Sequence, residues 1–136
     1  MPNKAFALLL LSVLALGLWG CQTIKSGDTT PPVFGGAKGL IYITPTTPNI
    51  GASDYYLTWE AATDNVTPQD SIVYIIYSSA ASSEVFNLNN ILAVTAAGLT
   101  SYEVTAPVNP TSPTYFGVRA SDEAGNIDSN TVITHP

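Results

Sequence analysis

Residues 55–78 read YYLTWEAATDNVTPQDSIVYIIYS. Two runs rich in aromatic and β-branched residues flank a centre of Asp, Asn, Thr and Pro, the composition of strand, loop and strand. In the first run Tyr55, Leu57 and Trp59 share one face and Tyr56, Thr58 and Glu60 the other, the alternation of a half-buried strand. Trp59 is accordingly expected in the core. The second run is apolar on both faces, with Tyr74 and Ile76 expected inward and Val73, Ile75 and Tyr77 outward.

Working outward, the same signal recurs at short spacing. LIYIT (40–44), SYEVT (101–105), TYFGVRA (114–120) and NTVIT (130–134) read as strands. TPTTPNIGASD, APVNPTSP and SDEAGNIDS between them carry the turn residues that separate strands. Many short strands with regular turns predict an all-β sandwich or barrel. Segment 84–99 is ambiguous. Leu88, Ile91 and Leu92 have helical spacing and Gly98 could stop a short helix, but an irregular or short-strand crossover is the expectation.

The chain has 136 residues, enough for one domain. Ten acids face four basic side chains, for a net charge of −6. Such a surface repels phosphate backbones and argues against nucleic-acid binding. One Cys excludes an internal disulfide, and one His excludes a His-based metal cluster. That His, His135, sits one residue from the end, a poor place for a catalytic triad. No phosphate-binding glycine loop or paired Cys ligand set is present, so no catalytic residue and no required cofactor is expected.

The N-terminus carries an address. Lys4 precedes an apolar run from Ala5 to Leu16, interrupted only by Ser12. A charged start, a short apolar stretch and small residues at the cut are the parts of a secretory signal peptide. The run is short of the ~20 residues that a spanning helix needs. Leu18-Trp19-Gly20-Cys21 resembles the bacterial lipobox, with Trp19 a departure from it. The resemblance implies cleavage before Cys21 and lipid on that residue. A plain secretory signal and an uncleaved anchor are the alternatives. Gln22, rather than Asp, after the Cys resembles the sorting rule for the outer membrane in Gram-negative cells. The expected organisation is a signal-peptide helix over 1–20, a flexible tether over 21–30 and one domain over 31–136.

That domain resembles the fibronectin type III family in its bacterial form. DTTPPVFGG (28–36) is similar to the family's lead-in. LTWEAATDNVTPQDSIVYIIYSS (57–79) resembles strand B, the B–C loop and strand C. TSYEV (100–104) resembles strand E, and YFGVRASDEAGNIDSNTV (115–132) strand F, the F–G loop and strand G. The resemblance implies a seven-stranded antiparallel immunoglobulin-like sandwich. It departs at the E–F corner, where Thr114 stands in the place of the family's tyrosine and Tyr115 comes one residue late.

In such a sandwich the B–C and F–G loops share one pole. Asp64 and Asp70 would lie in the first loop, and Asp122, Glu123 and Asp128 in the second. Several hard oxygens in one place could bind Ca²⁺; the alternative is that these acids serve their turns through local hydrogen bonds. Strand A starts at that pole, so a lipid on Cys21 would turn it toward the membrane.

The outer face of strand C, with Val73, Ile75 and Tyr77, would join Tyr115 and Arg119 in an apolar patch suited to protein contact. The alternative is that segment 84–99 folds over it. The expected function is a non-enzymatic, lipid-anchored envelope protein that contacts another protein. A module that binds carbohydrate through rows of tyrosines is the second expectation. Partners are thus the membrane, through Cys21, and an envelope protein or glycan.

Overall fold

The structure, a computed structural model, describes residues 27–35, 39, 41–45, 55–104 and 114–136. The expected signal peptide (1–20), Cys21, most of the expected tether and residues 105–113 of the expected E–F corner lie outside these residues. The described chain is all-β, with no α-helix among the described residues. It forms β1 (Val33–Phe34), β2 (Tyr42–Pro45), β3 (Tyr55–Thr58), β4 (Ala62–Thr63), β5 (Val73–Ser79), β6 (Ile91–Val94), β7 (Ser101–Val104), β8 (Tyr115–Ser121) and β9 (Ile133–Thr134). Three short 3₁₀ turns, Gln69–Ser71, Ser82–Glu84 and Leu88–Asn90, lie between strands.

All strand pairing is antiparallel, in three sheets of order β1-β4, β2-β3-β7 and β6-β5-β8-β9. Seven of the nine strands thus form a three-stranded and a four-stranded sheet. The other two are a short pairing of Val33–Phe34 with Ala62–Thr63. Two-residue strands leave no periodic pattern, which is why the sequence does not announce them. The crossover after β5 contains two 3₁₀ turns and β6, not a helix.

One buried cluster draws on all three sheets: Phe34, Leu57, Trp59, Ala62, Tyr74, Ile76, Val104, Phe116, Val118 and Ala120 belong to it. Leu57 and Trp59 are buried as their alternation requires. The Trp59 ring lies 5.5 Å from that of Tyr74, and Phe34 lies 6.0 Å from Tyr74 on centroids. Tyr74 is wholly buried, yet its hydroxyl accepts the Ala62 N–H at 2.8 Å. That bond gives a buried polar atom a partner and ties β4 to β5.

A second, smaller cluster corrects the expected patch. Ile75 and Tyr77 are buried with Val85, and Phe86, Tyr115 and Ile133 pack against them. Tyr77 is only 1 % exposed and Ile75 9 %. The cover is the turn after β5: the Phe86 ring meets Tyr77 edge-on with centroids 5.3 Å apart. Gly117 makes room for it, because a Cβ there would stand 2.5 Å from Phe86 Cζ. The Arg119 guanidinium sits 4.5 Å above the same ring, and its Nε donates to the Asn130 carbonyl at 3.1 Å. Val73, Tyr115 and Arg119 are half-buried, so these five residues are not an open apolar face.

Candidate functional site

Three features outside the cores carry functional content. The first is the pole made by the lead-in segment, the β4–β5 loop and the β8–β9 loop. Asp28, Asp64 and Asp122 each bring a carboxylate oxygen within 4.8 Å of the other two. Each carboxylate is held by its own loop. Asp28 Oδ1 accepts the Thr30 N–H at 3.0 Å. Asp64 Oδ2 accepts the N–H groups of Val66 and Thr67, both at 2.8 Å. Asp122 is buried, and its two oxygens accept the Asn126 backbone and side-chain N–H groups at 2.8 and 2.7 Å. Asn126 also donates to the Asp28 carbonyl at 3.1 Å, which locks the lead-in segment to the β8–β9 loop.

Burial pushes the Asp64 carboxyl up. The backbone N–H groups of Thr67, Val66 and Asn65, with the Asp28 side chain, outweigh that and hold it below its ordinary 3.8. Of the acids expected at this pole, Asp64 and Asp122 meet there. Asp70 instead lies in the Gln69–Ser71 turn, its backbone against Gly98. Glu123 donates its N–H to Thr67 Oγ1, and Asp128 lies along a different groove. Composition places Asp28 in the tether. Its contacts with Asn126 put the start of the packed chain before residue 31.

Asp128 lines the second feature, an open and largely apolar groove of about 570 Å³ between residues 30–35 and 127–132. Its carboxylate is buried. Oδ1 accepts the Asn130 N–H at 3.1 Å and Oδ2 has no partner. Burial pushes this carboxyl above 3.8; backbone hydrogen bonds at Asn130 and Ala120 and the Arg119 charge offset part of that.

The third feature is the edge of the four-stranded sheet. Among the described residues β6 pairs only with β5, through a register shift between Ile76 and Tyr77. Leu88, Ile91, Leu92, Val94 and Leu99 are exposed on and beside it, Leu88 by 75 % and Val94 by 58 %. From Val85 to Tyr102 the chain has no charged side chain. In the sequence Leu88, Ile91 and Leu92 carry helical spacing, so an exposed apolar strand edge here has no alternating signature. The aromatic side chains are distributed otherwise. Tyr56 is exposed and bonded to Ser101, while Phe34, Trp59, Tyr74, Tyr77 and Phe116 are buried.

No family model, no curated protein and no solved structure matches the chain.

Proposed function

We propose that this chain is a non-enzymatic, lipid-anchored protein of the bacterial envelope, held by lipid on Cys21, and placed in the outer membrane where the cell has one. Its single domain is read as a fibronectin type III-like sandwich. The sheet orders β2-β3-β7 and β6-β5-β8-β9 support that reading, since they are the A-B-E and C′-C-F-G orders of such a sandwich. The domain acts by contacting another envelope protein.

The observation that carries the interaction reading is the uncharged apolar edge at β6. Monomeric domains blunt edge strands with charge, proline or a bulge. Here a register shift is the one such device seen in β6, and five large aliphatic side chains remain exposed around it. In a chain with ten acids, residues 85–102 carry none, so this strip adds no charge repulsion of its own to a contact. The aliphatic character of the strip favours protein over glycan, because sugar rings stack on exposed aromatic faces.

Two measurements test this. Cys21→Ser should release the protein from the membrane fraction; retention would remove the lipid anchor from the reading. A photo-crosslinking residue at Leu88 or Val94 should give one discrete protein adduct in intact cells, absent when the probe is at Val66 on the β4–β5 loop. Equal labelling at all three positions, or none, would remove the β6 contact.

A further inference from the structure

We propose that the groove between residues 30–35 and 127–132 binds a small aliphatic ammonium ion, its alkyl stem on the apolar walls and one N–H bonded to Asp128 Oδ2. The argument starts from where the sheet puts Asp128. Ser121 bridges to Ile127, and the Asp128 N–H donates to the Ala120 carbonyl at 3.0 Å. Asp128 therefore stands opposite Ala120, which on its other side pairs with Tyr74. Opposed residues of neighbouring strands send their side chains to one face. The Asp128 carboxylate thus lies on the inner face of the sheet, the side of the buried Tyr74 and Ala120, where residues 30–35 form the facing wall of the groove. Asp128 is 7 % exposed, and its Oδ2 has no hydrogen-bond partner among the described residues. A buried carboxylate oxygen without a partner is costly, and a charged N–H donor offsets that cost. The χ2 torsion of Asp is broad, so a small turn of the carboxylate presents Oδ2 to the groove.

The walls select the rest of the ligand. Pro31 and Pro32 have no N–H, and those of Thr30, Asn130 and Val132 are taken by the side-chain oxygens of Asp28, Asp128 and Asn130. The walls therefore offer little to an added strand or to an anion. A metal ion such as calcium takes six or more oxygens, which one carboxylate between apolar walls does not supply. An alkylammonium needs one strong acceptor and apolar length. Pro32, Val33, Phe34 and Ile127 supply the length, and about 570 Å³ leaves room for the stem. The remaining N–H groups face solvent at the open side. Arg119 does not compete for Oδ2, because it sits over Phe86 on the outer face and donates to the Asn130 carbonyl.

The test uses the full chain in detergent at neutral pH and about 0.15 M sodium chloride. The probes are n-butylammonium chloride, 1-butanol and butyltrimethylammonium chloride, read by backbone amide shifts. n-Butylammonium should give saturable shifts centred on residues 30–35 and 127–132, with Kd at about 10⁻³ M, within the ceiling for so small a ligand. 1-Butanol lacks the charge and butyltrimethylammonium lacks the N–H, so each should bind at least about tenfold more weakly. Asp128→Asn keeps an acceptor for Asn130 and removes the charge. It should fold at least as stably as wild type at neutral pH, yet lose at least about tenfold in n-butylammonium affinity. Glu103→Gln, the same change of charge at an exposed position of β7, should bind as wild type does. A folded wild-type chain without saturable shifts, or equal binding by Asp128→Asn, would overturn the site. Equal binding of 1-butanol or of butyltrimethylammonium would overturn the ammonium contact. Neither the lipid anchor nor β6 enters these readings, so failure here leaves the interaction reading standing.

Discussion

The outer face of β5 and the neighbouring strand β6 are built from the same kinds of residue, and they end in opposite conditions. Ile75 and Tyr77 on β5 are sealed, while Ile91 and Val94, opposite them on β6, are exposed. Position in the sheet makes the difference. β5 lies between β6 and β8, and the turn after it carries Val85 and Phe86 back over its face. Gly117 on β8 supplies the space, and Arg119 closes the rim. Nothing among the described residues plays that role for β6. One crossover thus spends two apolar residues on covering its parent strand and presents five of its own to the outside.

The strongest way to break this comparison is to lift the cover. Phe86→Ala removes the ring that packs on Tyr77, fills the space at Gly117 and carries Arg119. Phe-to-Ala changes in well-packed sites cost about 3–5 kcal/mol; the half-buried Phe86 should lie at the low end, about 3 kcal/mol. Denaturant unfolding would measure it. A loss under about 0.5 kcal/mol would mean that the turn merely rests on β5.

A smaller effect is expected at the rim. Asp128 stands within electrostatic reach of Arg119 and Tyr77, and burial holds its carboxyl above 3.8. A raised carboxyl favours the folded state while protonated, and that advantage is lost as pH rises through its folded value. At neutral pH the ionised Asp128 is therefore a cost, and Asp128→Asn should stabilise the domain there. The gain should shrink as pH falls toward 3.8, where wild type also carries the proton. A stabilisation that does not change with pH, or a destabilisation at neutral pH, would mean that the Arg119 attraction outweighs burial.

The strands were legible from the sequence wherever a run was long enough to alternate. β3 and β7 fall within the stretches that composition marks, β5 and β8 run one residue past theirs, and Leu57, Trp59, Tyr74 and Ile76 point where period 2 puts them. What lies over an outward face is a different matter. Alternation assigns Tyr77 to the far side of β5, but Phe86 covers it through a turn whose path no local rule dictates. The acids divide in the same way. Asp64 and Asp122 stand out as loop carboxylates, whereas Asp28 looks like tether until Asn126, 98 residues later, holds its carbonyl. Sequence neighbours record turn chemistry, and only packing records which turns meet.

The finest test of the comparison acts on β6 alone. Val94 is 58 % exposed, its backbone pairs with Ile75, and its side chain lies beside the sealed face without entering it. Val94→Lys places on this edge the charge with which natural edge strands discourage pairing. Surface changes of this kind move stability by about 0.5 kcal/mol or less, so the unfolding midpoint should stay nearly fixed. The adduct formed from a photo-crosslinking residue at Leu88 should nevertheless disappear. Together these results would separate β6 from β5: one strand is needed for the fold, the other for contact. If Val94→Lys instead costs as much as Phe86→Ala, then β6 is covered as β5 is, and the contact surface must be sought elsewhere.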